Sequence, residues 1–281
     1  MTYLEKLIAS VQHSGSVLCV GLDPRPSMIP ASILERTENT EQAVEQFCVD
    51  IIESTYDFCC AYKPNVAFFE SLGPKGLEVF GRVLDRIPKD RVTIADIKRG
   101  DIGSTAEHYK QAWFDKLDVD AVTLNPLMGF DTLDPWLQEE SRALYSLVLT
   151  SNPGSHDLLM RRFEGRLSLA EFIADQLSKK AHTSKTHIGM VIGATHPSDL
   201  DRILNSYPEA SLLIPGVGSQ GGNPADLVPI LTAHKGVPVI SASRSIIFAG
   251  NTQTNWPDHV ARSARSMKEE LKPFGKRYIA S

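Results

Sequence analysis

No stretch of this 281-residue chain approaches the roughly 18 consecutive apolar residues that a membrane-spanning helix needs. The opening segment, Thr2 to His13, reads as a short amphipathic helix without the long apolar centre of a secretory signal, so no targeting segment is expected. A basic surplus is also missing. Lys and Arg number 29 against 34 Asp and Glu, a net charge of −5. That argues against general nucleic-acid or anionic-membrane binding, so a phosphate would be held by a local basic site. The chain has four cysteines, Cys19, Cys48, Cys59 and Cys60, and they lack the spacing of a metal site. Cys59 and Cys60 sit in an apolar run, where free cysteines behave as small core residues, in keeping with a reducing cytoplasm. The eight histidines form no HExxH or similar ligand set, so no protein-bound metal is expected. No repeat or low-complexity linker divides the chain, and residues 1–281 are read as one domain.

What is present is a regular alternation. Eight short apolar runs rich in Val, Ile and Leu recur at fairly even spacing: Val17–Asp23, Phe58–Val66, Arg91–Lys98, Ala121–Asn125, Tyr145–Ser151, His187–Ala194, Ser211–Val217 and Pro238–Arg244. Their length and composition fit buried parallel strands. Between them the helical period takes over. In Glu41–Phe58 the residues Val44, Phe47, Cys48, Ile51, Ile52 and Tyr56 line one stripe, and further helices are marked by Leu77 to Ile87, Ala225 to His234 and Asp258 to Leu271. Ser104 with Glu107, and Ser168 with Glu171, have the spacing of capping boxes. Eight strands alternating with helices predict an α/β fold, a (β/α)8 TIM barrel, with a doubly wound open sheet as the alternative. The longer polar, Pro-rich connection from Pro24 to Thr40 reads as an excursion.

Polar residues concentrate where the runs end. Asp23 closes the first, Lys63 the second, Asp96 and Lys98 the third, Asn125 the fourth and Thr150-Ser151 the fifth. Gly216 to Gln220 follow the seventh and Arg244 closes the eighth. In a barrel these points gather at the C-terminal face, where active sites sit. The glycine-rich stretch Pro215 to Gly222 would let backbone N–H groups approach a phosphate, and the Arg244 fork suits a phosphate dianion. It is not read as a dinucleotide loop or a P-loop, so NAD and ATP are disfavoured.

The most informative segment is the third strand end, Asp96-Ile-Lys98-Arg-Gly-Asp101. Strand residues two apart share a face, which predicts that Asp96 and Lys98 point into one cavity, with Asp23 and Lys63 near. Opposite charges at ~4 Å interact by about 4 kcal/mol at an effective dielectric of 20, enough to keep both lysines protonated inside a pocket. A protonated lysine among carboxylates is a proton donor suited to quenching a carbanion. The plainer alternative is a buried ion network that only holds the barrel.

These residues resemble one known family, orotidine 5'-phosphate decarboxylase. The segment from Asp96 to Thr105 looks like its D-x-K-x-x-D-I-x-x-T signature. Gly21-Leu-Asp23-Pro, Lys63, Ser151-Asn-Pro-Gly154, Pro215 to Gly222 and Arg244 follow in the family's order. The Lys-Arg-Gly-Asp variant, Ser-Arg in place of the more usual Gly-Arg, and the length are similar to the longer bacterial (type 2) branch. Arg99 and Gly100 depart from the commoner pattern but leave the Lys-to-Asp spacing intact.

The resemblance implies decarboxylation of orotidine 5'-phosphate to uridine 5'-phosphate in pyrimidine synthesis, with no metal or organic cofactor. By matching position, Lys98 would protonate C6. Asp96 and Asp101 would flank the departing carboxylate, and Lys63 would bridge Asp96 and the ribose. Asp23 would bind a ribose hydroxyl and Ser151 the pyrimidine edge, with Asn125 a further substrate contact. Gln220, Gly221 and Arg244 would hold the phosphate. Asp101 and Thr105 would reach into the neighbouring subunit of a homodimer. The nearest rival on the same scaffold is an Mg²⁺-dependent sugar-phosphate decarboxylase or aldolase; a nucleotide-phosphate sensor that needs no Lys98 is a third reading.

Overall fold

The structure, a computed structural model, describes residues 1–163, 165–193, 197–215 and 224–279. Eight strands form the sheet: β1 Leu18–Leu22, β2 Ala61–Pro64, β3 Val92–Arg99, β4 Ala121–Leu124, β5 Ala143–Leu149, β6 His187–Ile192, β7 Leu212–Pro215 and β8 Pro238–Ala242. Each overlaps one of the eight apolar runs; six are trimmed within their run, while β3 runs one residue past its end and β5 begins two residues before its start. Their hydrogen-bonded order is β1-β8-β7-β6-β5-β4-β3-β2, closing on itself. Closure in chain order makes this the expected (β/α)8 barrel and overturns the open doubly wound alternative.

Two compact units make up the chain, Met1–Glu5 with Lys98–Ile240, and Lys6–Ile97 with Ser241–Ser281. In the second, β1 and β2 pair in parallel with Cys19 opposite Ala61 and Gly21 opposite Lys63. The helix Thr40–Thr55 starts where the Asn39 side chain accepts a bond from the Gln42 N–H, and buries the expected stripe of Val44, Phe47, Cys48, Ile51 and Ile52. Tyr56, the last residue of that stripe, lies in a short 3-10 turn, Tyr56–Phe58. Phe47 stacks on Phe248 and on Trp256, each at 5.6 Å between ring centroids. All four cysteines are free and buried, as core residues should be. Burial pushes the Cys59 thiol up to about 11 and the Cys19 thiol to about 12.

In the other unit, β4 to β7 run parallel where their pairing is defined, with Thr123 opposite Tyr145 and Met190 opposite Leu212. The capping box at Ser168 and Glu171 is formed, both reciprocal bonds being present. The one at Ser104 and Glu107 is not. The helix Gly103–Lys110 begins two residues earlier, with Ile102 as its cap and no side-chain cap bond, so Ser104 lies inside the first turn. A small hairpin, Arg162–Phe163 with Leu167–Ser168, was not expected, because two-residue strands carry no periodic signal.

Near the start of β6, the His187 ring stacks on Tyr3 at 5.6 Å and its Nε2 lies 2.9 Å from the Ser211 hydroxyl. Burial lowers its pKa from 6.5 to about 4. Between those values the unfolded chain binds a proton that the folded chain refuses. The stability this histidine confers is therefore complete above pH 6.5 and lost as pH falls toward 4. The expected slope is at most about 1.4 kcal/mol per pH unit. Urea unfolding of His187→Gln at several pH values should show a flatter dependence through this window than the unaltered protein.

Candidate active site

The strongest electrostatic feature lies on the inner face of β1, β2 and β3. Lys63 Nζ donates to Asp96 Oδ2 at 2.7 Å, and both side chains are less than a tenth exposed. A single parallel bridge between Asn65 and Asp96 carries the β2–β3 pairing to this level. Tyr62, on the opposite face of β2, sends its hydroxyl outward to the Ile52 carbonyl. Alternation thus commits Lys63 to the interior. Burial alone would lower the Lys63 pKa, but the charges of Asp96 and then Asp23 outweigh it and hold it raised. Lys63 is therefore a fixed cation. Asp23 is half-buried, and its Oδ1 is buried with no hydrogen-bond partner among the described residues.

Lys98 differs from expectation. The strand period holds from Val92 to Ile97, but Lys98 has φ +47 and is exposed. The two-apart rule consequently does not set its direction. A positive φ costs a non-glycine residue on the order of 1–3 kcal/mol and needs outside support. β4 provides it. The Thr123 hydroxyl accepts from the Lys98 N–H at 3.0 Å, and the Asn125 N–H donates to the Arg99 carbonyl at 2.8 Å. Thr123 was missed in the sequence because a threonine inside a strand looks like an ordinary β-former.

Asp101 is half-buried, and its Oδ1 accepts from the Ile102 N–H at 2.9 Å. Thr105 is exposed on the following helix. Asn125 is half-buried, with Oδ1 turned back to the Leu127 N–H at 3.0 Å. In this conformation Asn125 shapes its own loop. Gly100 explains the spacer in Lys-Arg-Gly-Asp, since a Cβ there would run into the Asn125 carbonyl oxygen. Ser151 is half-buried at the end of β5, where the Gly193 N–H donates to the Leu149 carbonyl at 2.7 Å.

Arg244 is exposed and opens a four-residue helix immediately after β8. Ser243, just before it, has a buried hydroxyl with no hydrogen-bond partner among the described residues. Gln220 and Gly221 lie outside the described residues, as does the stretch from Gly216 to Asn223. One correction concerns this stretch. Gly216, Gly218 and Gly221 do carry the G-x-G-x-x-G spacing of dinucleotide loops. Their context differs, because they follow the seventh strand, and about 20 residues on the chain has Pro238–Ala242 rather than an acidic residue. Among the described residues, no group of three or more His, Cys, Asp or Glu is placed to hold a metal ion.

The Gly100 contact is directly testable. Gly100→Ala should force the Asn125 carbonyl and the Lys98–Asp101 backbone apart, costing about 1–3 kcal/mol. A thermal melt should show a Tm several degrees lower, and turnover should fall with it.

The sequence matches the family described as Orotidine 5'-phosphate decarboxylase / HUMPS over residues 16–257. It is 37% identical over 281 residues to the orotidine 5'-phosphate decarboxylase of Dehalococcoides mccartyi strain CBDB1, covering 99% of this chain and 100% of that one. To the orotidine 5'-phosphate decarboxylase of Roseiflexus sp. strain RS-1 it is 41% identical over 276 residues, covering 96% and 97%. Among solved structures, Leishmania donovani OMP decarboxylase is similar with a TM-score of 0.79 and 30% identity, covering 98% of this chain and 99% of that one. With a match across most of its length and relatives of the same extent, the chain belongs to the orotidine 5'-phosphate decarboxylase / HUMPS family.

Proposed function

We propose that this chain converts orotidine 5'-phosphate to uridine 5'-phosphate and CO2, the decarboxylation of de novo pyrimidine biosynthesis. The observation that carries this reading is the buried Lys63–Asp96 pair on β2 and β3, followed on the same β3 segment by Lys98 and then Asp101. Its weight comes from full-length relatives named for that reaction.

In the reaction the C6–carboxylate bond breaks and CO2 departs, leaving its electron pair on C6. Lys98 Nζ then gives its proton to that carbon and is reprotonated from water. Asp96 and Asp101 flank the carboxylate that is lost. Their negative charge favours a step in which an anionic group leaves as a neutral molecule, with preorganised electrostatics as the main contribution. Lys63 cannot compete as donor, since Asp96 and Asp23 hold its proton firmly. It orients Asp96 and meets the ribose, and the orphaned Asp23 Oδ1 suits a ribose hydroxyl. Ser151 and Asn125 serve the pyrimidine end, and Gln220, Gly221 and Arg244 the phosphate. One (β/α)8 domain in each subunit carries the site except for Asp101 and Thr105, the proton comes from the chain itself, and the reaction uses no cofactor. Four buried free thiols suit a reducing cytoplasm.

Asp101 and Thr105 complete the site of a second subunit. Ile102, next to Asp101 in the chain, is 53% exposed, and Leu127 and Met128, in the loop after β4, are 65% and 59% exposed, apolar surface of the kind a subunit interface covers. The partner is therefore a second copy of the chain in a homodimer.

Loss of orotate absorbance should proceed at full rate in EDTA. Dependence on added Mg²⁺ would favour the sugar-phosphate reading instead. Lys98→Ala should lose at least ~10³-fold in kcat, the upper part of the range for a positioned proton donor. Undiminished turnover would end the assignment of Lys98. Mixing unfolded Lys98→Ala and Asp101→Asn chains and refolding them together should regain about a quarter of normal activity, since half the dimers hold one intact site of two. No recovery above the separate variants would exclude sharing of Asp101 between subunits.

A further inference from the structure

We propose that Ser243 is a further substrate-binding residue, its hydroxyl donating a hydrogen bond to the same phosphate that Arg244 grips. The inference rests on the reading of the site given above and extends it to a side chain that the resemblance does not include, because the commoner pattern has glycine there.

Three observations converge on this hydroxyl. Its Oγ is buried and has no hydrogen-bond partner among the described residues. Buried polar atoms are nearly always satisfied, and those that are not belong disproportionately to sites completed by a ligand or water. Ser243 also occupies the N-cap of the helix Arg244–Ile247, where a serine ordinarily caps, yet it makes no side-chain cap bond there. The hydroxyl is thus not used by its own helix.

The third observation is the room made for it. A Cβ on Gly21 would lie 2.8 Å from Ser243 Cβ and 3.3 Å from its Oγ, so the serine side chain stands over β1 only because residue 21 is glycine. Gly21 is paired with Lys63, and it alternates with Cys19 and Asp23 on the face of β1 whose charges act on Lys63. The Ser243 hydroxyl therefore faces the inner side of the β1–β2–β3 wall. Asp23, two residues beyond Gly21, holds the other orphaned oxygen of this wall, Oδ1.

The two orphans call for different partners. A carboxylate oxygen accepts only, which matches the hydroxyls of a sugar. A serine hydroxyl beside an arginine is placed to donate to the anion that the arginine attracts, and hydrogen bonds to charged groups are the stronger kind. A sugar carrying a phosphate satisfies both at once.

Ser243→Ala removes only the oxygen, and Ser243→Gly restores the commoner residue. Calorimetric titration with uridine 5'-phosphate should give a dissociation constant raised roughly tenfold or more in both variants, with an unchanged or higher Tm, because a buried unsatisfied group has been removed. KM for orotidine 5'-phosphate should rise in parallel. The loss should be confined to phosphate-bearing ligands, so kcat/KM for the nucleoside orotidine should fall much less. A dissociation constant within about twofold of the unaltered protein would overturn the proposal, since a phosphate contact is worth more than that. So would equal losses on orotidine and its 5'-phosphate, which would assign Ser243 to the nucleoside. Absence of orotidine 5'-phosphate turnover in the unaltered chain would instead refute the proposed reaction, leaving the nucleotide titration to decide on Ser243.

Discussion

The inner wall of β1, β2 and β3 is organised by one buried ion pair. Withdrawing Lys63 and Asp96 from water costs several kcal/mol for each ion, and a single bond between them does little more than offset that. The balance is tipped by Asp23, a second carboxylate acting on the same ammonium. Two carboxylates to one lysine leave the inner wall of β1–β2–β3 with surplus negative charge. A stabilising network has no need of that surplus. For a reaction that discharges a carboxylate it would be an advantage, and Lys98 follows two residues further along the strand.

The backbone of Lys98 is held from the side by the strand that follows. Its positive φ falls within β3, and Thr123 on β4 and Asn125 just after it brace that point from the side. Lys63 and Lys98, which the charge pattern alone treats as equivalents, are thus held differently. One is locked at 2.7 Å to a carboxylate inside the wall, and the other is exposed near the end of β3 with a positive φ.

Much of this was legible from residue order. The eight strands follow from short β-branched runs, and the closure of the sheet follows from their strict alternation with helices. Lys63 and Asp96 could be read because alternation is reliable inside a regular strand. Lys98 could be identified but not placed, because the period fails where φ changes sign. The Ser104 box failed for a related reason: the helix starts at Gly103, whose φ of +52 makes the turn into the helix that a capping residue would otherwise mark. Thr123 gave no signal, and Ser243 stood out only as a departure from the commoner pattern, since the surroundings of both are set by what stands opposite them across the sheet. No linear pattern encodes that.

The four cysteines carry a last consequence. Each is free and buried, and burial raises each thiol above its ordinary range, so the thiolate that alkylating reagents attack is scarcely populated in the native chain. Their labelling must wait for the fold to open. The molecule therefore contains its own clock for unfolding, with no engineered probe. Conversely, a single cysteine introduced on the surface would take up a fluorophore or spin label without first removing the four that nature left inside.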